Sequence, residues 1–449
     1  MIFSKRKKER DKYWTHVGRG VHLDNPETIM GLGFPDSYRK GHFWCFGTTR
    51  VGETRTMENI IEQDTRKGYS VVAIDPKGDI DLFSKIVQIA FETGRQEDLM
   101  LITPVFPEYS AILDPLSSYY MIEELVAHIT AGVAVGRDPF FFGIAYEVSL
   151  VVVQALIMLA KDSGTKPFFN LNDIKNHISH DDLEKLKSKL EYIDTPEAQQ
   201  LTMDMTKILA TPADYYSKVA SSLRVALTEL TSGNVGRIIG NADENRFVDR
   251  LEQEKGVILV VQLGSLLTKR AAYTAGKVII SMIQAFVGRR YSSGKTVKPV
   301  LTLHIDEAQS VLYHGIEDLF AKAGGAGVYI HGYCQSISQL HAEIGMDRAN
   351  TILDNCNTKI FMRVPDSKTA QYVSTHLGEK RSYSPIISLG GGLSIRETED
   401  VRINHTEILN MDPRQFFLTT YSGMFRGITT EVTDTAVKVV FPEVGMQVR

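Results

Sequence analysis

With 449 residues, 43% of them hydrophobic and 23% charged, the chain has material for a large buried core and more than one domain, which excludes a disordered or fibrous protein. A net charge of −4 and a pI near 6.3 exclude a global electrostatic pull toward nucleic acid. Any DNA contact then has to come from a local basic surface or from subunits lining a pore.

The opening segment, "MIFSKRKKERDKYW", carries Lys5, Arg6, Lys7, Lys8, Arg10 and Lys12 but lacks the apolar core of a signal peptide. A solvated terminus is the first reading of this basic segment, taken as residues 1–40. The second is a polybasic contact with anionic cytoplasmic lipid, at about 1 kcal/mol per charge. "HFWCFG", from His42 to Gly47, is short, aromatic and apolar, as a buried strand should be. "TRTMENIIEQDTRKG" has helical spacing and stops at Gly68, and "YSVVAIDPKGD" is a second strand. Strand, glycine loop, helix and strand make a βαβ unit, which implies a parallel sheet with right-handed crossovers. "DLMLITPV" supplies a third strand, completing a first block at 41–116.

From 117 to 240 the periods become helical, in "MIEELVAHITAGVAV", "FGIAYEVSLVVVQALIMLAKD", "DDLEKLKSKLEYI", "AQQLTMDMTKILA" and "YYSKVASSLRVALTELTS". Breaks fall at "GRDP", "DSGTKP" and "DTPE", so this stretch reads as an all-α insertion. Its most apolar run, Val148 to Ala160, falls short of the ~18 residues a membrane span requires. Strands resume in the block 241–449 with "GVILVVQLGS", "VLTLHIDEAQ", "AGVYIHGYCQS" and "TKIFMRV". Beyond Arg381, Gly390 to Gly392 and short alternating runs suggest a loop and a sheet edge. Cys45, Cys334 and Cys356 lack metal-ligand spacing and read as buried thiols, which fits a reducing cytosol. His304 and His331 lie in strand runs, where core histidines are expected.

Four constellations carry chemistry. In "GTTRVGETR", Gly47 and Gly52 let the backbone curl so that successive N–H groups face phosphate oxygens, aided by the positive end of the following helix. Thr48, Thr49, Arg50, Val51, Glu53 and Arg55 complete that loop, and Thr54 stands where a hydroxyl ligates Mg²⁺. Glu53 occupies the position of the lysine that normally reaches the β- and γ-phosphates. At ~4 Å and an effective dielectric near 20, each like-charge pair there costs about 4 kcal/mol. "PVLTLHIDEAQS" is an apolar strand ending in Asp306, suited to hold the metal, and Glu307, suited to deprotonate a water. "VYIHGYCQS" ends the next strand in Gln335, placed to touch a γ-phosphate. "VVAIDPKGD" sets Asp75, Lys77 and Asp79 at the carboxyl edge of the sheet, where open α/β sheets bind ligands. The order suits a RecA-like ATP motor: an α/β, P-loop nucleotide-binding domain with a largely parallel central sheet, interrupted by the all-α domain.

This layout resembles the TraG/TraD-type coupling proteins of conjugation and type IV secretion, with the look of the TraD subgroup of integrative conjugative elements. The resemblance rests on "GTTRVGETR", "VAIDPKGDIDL", "HIDEAQ", "FAKAGGAGVYIHGYCQSISQL" and "NCNTKIFMRVPDSKTAQYVS", and runs from about residue 40 to 380. It implies a hexameric ring that binds ATP and Mg²⁺, takes a relaxase-bound single strand, and drives it toward the secretion channel and its inner-membrane components. It also implies Gly47, Gly52 and Thr54 on phosphates and metal, Asp306 and Glu307 as metal and catalytic acids, and Gln335 as γ-phosphate sensor. Such proteins carry a transmembrane anchor ahead of a basic flank like "SKRKKER". None precedes it here, so the expectation is either a truncated or naturally soluble form or a cytoplasmic chain recruited by partners to the inner membrane. Lys322, Arg363 and the pair Arg289–Arg290 are positions for the basic finger that ring motors contribute in trans, although ordinary surface charge is the commoner use of such residues. The reading is thus a DNA-translocating ATPase with hydrolysis impaired by Glu53. One alternative is a catalytically silent adaptor for relaxase or effector cargo. Another is an FtsK/HerA-like DNA pump, disfavoured by the long helical insertion and the lack of a winged-helix tail.

Overall fold

The computed structural model describes residues 13–133, 140–387 and 393–445. The basic cluster from Lys5 to Lys12, the break at "GRDP" and the glycines Gly390 to Gly392 lie outside them. In chain order the elements that matter here are β1 (Trp14–His22), β2 (Asn25–Pro35), β3 (Phe43–Phe46), α1 (Glu53–Arg66), β4 (Ser70–Asp75), α2 (Ile80–Glu92), β5 (Leu99–Ile102) and α3 (Phe140–Asp162). They continue with β6 (Ile258–Gln262), α4 (Ser265–Ser292), β7 (Leu301–Ile305), β8 (Val328–Cys334) and β9 (Thr358–Phe361). The last are β10 (Glu379–Ile387), β11 (Leu393–Val401), β12 (Gln415–Thr420) and β13 (Gly423–Thr429).

The chain forms two compact units. The first comprises Met1–Lys67, Thr302–Gln309 and Tyr329–Asp434, with strands in the order β2-β1-β13-β12-β9-β3-β8-β7. The central strands β9, β3 and β8 are parallel, and β12, β13, β1 and β2 extend them antiparallel. All four residues of β3 are buried, as a strand covered on both faces demands. β10 and β11 pair separately as a hairpin.

Strands β1 and β2 fall within residues 1–40, where the sequence shows only a basic segment. Their pattern is hard to see: "WTHVGRGVH" is polar and glycine-rich, and its glycines serve backbone approach. A Cβ on Gly18 would lie 2.2 Å from the carbonyl oxygen of Ile428 on β13. In the interior of this unit Arg39, wholly buried, donates from Nη1 and Nη2 to the two oxygens of Asp64 at 2.6 and 2.5 Å. Its Nε donates to His331 Nε2 at 3.2 Å, and His304 Nε2 lies 3.2 Å from Asp64 Oδ2. His304 and His331 are both fully buried, as core histidines are. Asp64, His304 and His331 bring potential ligand atoms within 4.8 Å of one another, but the Arg39 guanidinium already engages both oxygens of Asp64.

The second unit comprises Gly68–Leu301, Ser310–Val328 and Thr435–Arg449. Parallel strands in the order β4-β6-β5 combine there with the helical stretch, which has its helices where the sequence periods put them. These units divide the chain differently from the blocks 41–116, 117–240 and 241–449 expected from composition. One expectation is corrected. α3, 23 residues long, contains an 18-residue window of mean hydropathy 2.0, and α4, 28 residues long, contains one of 1.3, so both are long and apolar enough to cross a membrane. The apolar run of α3 begins at Phe140, ahead of the Val148–Ala160 stretch, with Gly143 and Glu147 breaking its appearance in sequence. α3 packs on the helices Ile122–Thr130, His180–Leu190 and Pro196–Leu209, and two thirds of the apolar window of α4 is buried.

Candidate functional site

Strand β3 delivers Gly47 to the edge of the parallel strands, where its N–H donates to the carbonyl of Cys334 at the end of β8, 3.2 Å away. Thr48 N–H donates to the carbonyl of Arg363, just past β9, at 2.8 Å. Thr49 and Arg50 form the exposed turn, Arg50 at φ 65°. Val51 folds back inside, its carbonyl accepting from Arg414 N–H at 2.8 Å. A Cβ on Gly47 would stand 3.1 Å from Val51 Cγ2 and 3.4 Å from Glu53 Cβ, so a side chain there would press the loop open. Gly52, at φ 108°, caps α1, and its carbonyl accepts from both the N–H and the hydroxyl of Thr56. The N–H groups of the first turn of α1 therefore open at the loop, as an anion site requires.

Glu53 is the first residue of α1. Its Oε1 is buried, and the carboxylate sits close enough to the buried ends of β3 and β8 to act on their side chains. Burial pushes the Cys45 thiol up, and the nearby charges of Glu53 and Asp306 push it further. Burial also raises the Cys334 thiol, which a hydrogen bond from Trp44 lowers and Glu53 raises further, and it raises the Tyr333 hydroxyl, to which Cys45 and Asp64 add more than Glu53 does. A carboxylate at a helix N-terminus gains about 0.3–1 kcal/mol from the macrodipole. Glu53 is thus a good residue for starting α1 and a poor one for meeting phosphate. Thr54 is half-buried in the same turn. Arg55 is engaged by Glu58 at 2.9 Å and by Asp434 at 2.8 Å.

The acid pair follows β7. Asp306 is buried, and Glu307 adopts φ 43°. Glu307 Oε1 accepts from Gln335 Nε2 at 2.7 Å, and Oε2 accepts from Gln309 Nε2. Gln335 follows Cys334, whose carbonyl holds Gly47. The glycine loop, the acid pair and the amide are therefore continuous neighbours within the first unit. Arg414 was not read from the sequence. It adopts φ 71°, its Cγ lies 3.8 Å from the Cβ position of Gly52, and its guanidinium donates to the Thr429 carbonyl. No local motif marks it, because a turn 360 residues downstream brings it there. Three of the non-glycine residues in left-handed conformations, Arg50, Glu307 and Arg414, thus border one loop.

The segment "VVAIDPKGD" belongs to the second unit, where its acids serve the turn. Asp75 accepts from Lys77 N–H at 2.9 Å and from Asp79 N–H, and burial raises its carboxyl while these bonds lower it. Asp79 caps α2, accepting from Asp81 and Leu82. Among the finger positions, Arg289 pairs with Glu124 and Glu252, Arg290 with Glu252 and Glu254, and Lys322 with Asp318. Arg363 is exposed beside the loop.

A parallel sheet whose strands end in a glycine loop opening a helix, an acid pair and a facing amide defines a RecA-like, P-loop nucleotide-binding fold. Residues 300–412 match the family model described as the TraM recognition site of TraD and TraG. The type 4 coupling protein DotL of Legionella pneumophila is 24% identical over 187 residues, which cover 38% of this chain and 23% of that protein. Among solved structures, the bacterial conjugative coupling protein TrwBdeltaN70 superposes with a TM-score of 0.69 at 16% identity, over 97% of this chain and 93% of that one. TrwB in complex with a non-hydrolysable ATP analogue gives 0.65 at 16%, over 96% and 94%. VirB4 of Thermoanaerobacter pseudethanolicus gives 0.53 at 11%, over 93% and 97%. At these identities the solved structures establish the fold. With the family model and DotL, the likeness is to TraG/TraD-type coupling proteins.

Proposed function

We propose that this chain is a coupling protein of a type IV secretion or conjugation system, built as an ATP-dependent DNA translocase and impaired in hydrolysis by Glu53. The observation that carries this reading is the junction of Gly47, Glu307 and Gln335 at the ends of three strands. TrwB, which has this fold, is described in complex with ADP and Mg²⁺. The residues here fit such a ligand in part. The curled loop, the open first turn of α1 and the buried Asp306 suit phosphates and a metal, whereas the inward carboxylate of Glu53 does not replace a lysine.

In this reading residues 47–55 hold the phosphates, Thr54 and Asp306 hold Mg²⁺, and the bound nucleotide supplies a hydrolysable phosphoanhydride. Glu307 takes the proton of a water, and Gln335 holds the Glu307 carboxylate in place and contacts the terminal phosphate. The working form is a homo-hexamer on the cytoplasmic face of the inner membrane, passing relaxase-bound single-stranded DNA to the channel.

Glu53 favours one second reading, an adaptor that recruits relaxase or effector cargo without turnover. Steady-state ATP hydrolysis with single-stranded DNA, measured on this chain and on Glu53→Lys, separates the two. Activity restored by lysine supports a motor carrying a lesion. Inactivity of both forms supports the adaptor, and full activity of the unaltered chain refutes the electrostatic argument about Glu53.

A further inference from the structure

Among the described residues after β13, 430–445, there is no helix or strand, yet residues 435–442 lie extended along α2 in the second unit. The segment touches the unit at intervals, with Val437 exposed between its inward residues. Thr435, Val439 and Phe441 are half-buried, and Ala436, Lys438 and Val440 are exposed. Gln88 Oε1 accepts from the Thr435 hydroxyl at 2.7 Å and from Ala436 N–H at 2.8 Å. The Ser84 hydroxyl accepts from Val439 N–H at 3.0 Å. The Phe441 ring stacks on Phe106, with centroids 4.5 Å apart, and lies parallel to Phe83 at 6.1 Å, with Tyr109 tilted at 5.8 Å. This is recognition of an extended peptide: main-chain donors read by two polar side chains of a helix, and one aromatic anchor in an aromatic slot.

The hold is local and small. It includes no strand pairing, and residues 430–434, which lead into it, have no regular structure and are mostly exposed. Five extended residues reach about 17 Å. A short hinge joined to a separately docked segment is the arrangement that exchanges between identical chains. Beside the docked segment an apolar ledge faces solvent: Leu266 is 92% exposed, Leu267 66% and Val440 77%. Leu266, Leu267 and Val440 line the same hollow of about 530 Å³, together with Lys77 and Lys438. A second copy bringing its own segment would also cover this ledge.

We propose that the side of α2 that this segment covers, with Phe83 and Phe106, is a docking groove for residues 435–442 of a second copy of this chain, exchanged for the copy's own segment when chains associate. This does not depend on nucleotide binding, so its failure leaves the reading of the loop untouched.

The test uses two full-length variants, Ser84→Cys and Val439→Cys, mixed and oxidised; Cys45, Cys334 and Cys356 are buried. A covalent dimer formed only in the mixture is the expected result. The peptide DTAVKVVFPEVG at millimolar concentration should reduce it at least tenfold, and the same peptide with Phe441→Ala should not. Cross-linking confined to single chains of the Ser84→Cys/Val439→Cys double variant, or absent from both samples, overturns the proposal. As a check that needs no cysteine, the labelled peptide should bind the full-length Phe441→Ala chain at least tenfold more tightly than the unaltered chain. Equal affinity for the two overturns the proposal as well.

Discussion

Gln335 donates from Nε2 to Glu307 Oε1 across 2.7 Å, tying the end of β8 to the end of β7. With the bond from Gln309 to Oε2, it aims a carboxylate held in a left-handed turn. In the Glu53→Lys background, Glu307→Gln should lower ATP turnover by about 10²–10⁴-fold, the usual contribution of a general base, and leave nucleotide affinity within a few-fold. Gln335→Ala should lower turnover less, because the base survives but loses its guide. Paired turnover and calorimetric binding measurements check both.

Glu53→Lys should exchange stability for binding. A cation in the first turn of α1 opposes the helix dipole, so the unliganded variant should lose about 0.3–1 kcal/mol. Urea unfolding with and without ATP and Mg²⁺ reads this directly. The deficit should be regained in nucleotide, since binding to the folded state alone adds stability.

The buried Arg39–Asp64 pair should be far more sensitive. Arg39→Met leaves an uncompensated carboxylate in the interior and should cost about 3–5 kcal/mol, whereas Arg39→Met with Asp64→Leu should recover much of that loss. Urea midpoints of the two variants decide it.

The stability of the protein should fall on mild acidification. Burial lowers the pKa of His128 to about 3 and of His376 to about 4, and also lowers those of His304 and His331. An unfolded histidine titrates near 6.5, so these groups contribute stability that is fully present above that pH and is lost as pH falls below it. Asp114 has the opposite sign. Burial raises it to about 7, so its contribution is lost as pH rises from the unfolded carboxylate value, near 3.9, through 7. Four histidines outweigh one carboxyl, so urea midpoints should rise from pH 5.5 to 7 and level off between 7 and 8.5. His128→Gln should lessen the rise between pH 5.5 and 7, and Asp114→Asn should steepen it.

Much of this was legible in the sequence. Runs such as "HFWCFG" and "VVAID" are apolar because their strands are covered on both faces, and that signal is local. The glycine loop, Asp306, Glu307 and Gln335 were legible for the same reason: each sits at the end of such a run. Strands β1 and β2 were hidden because Gly18 and Gly20 are there to admit a neighbouring backbone, which leaves no hydrophobic period to read. Arg414, and the partnership of Arg39 with Asp64, His304 and His331, were invisible because they depend on long-range strand order. The motif "DPKGD" ends β4, as its sequence implies, and its acids hold its own turn and cap α2.

The left-handed conformations of Arg50, Glu307 and Arg414 carry a consequence for any effort to make this protein more robust. Glycine would relax each of these positions, by on the order of 1 kcal/mol, and the fold would gain durability. Each such gain would erase a charged group at the mouth of the loop. Ruggedness and reactivity are set against each other along this one rim, and a stabilised variant should reveal the conflict here first.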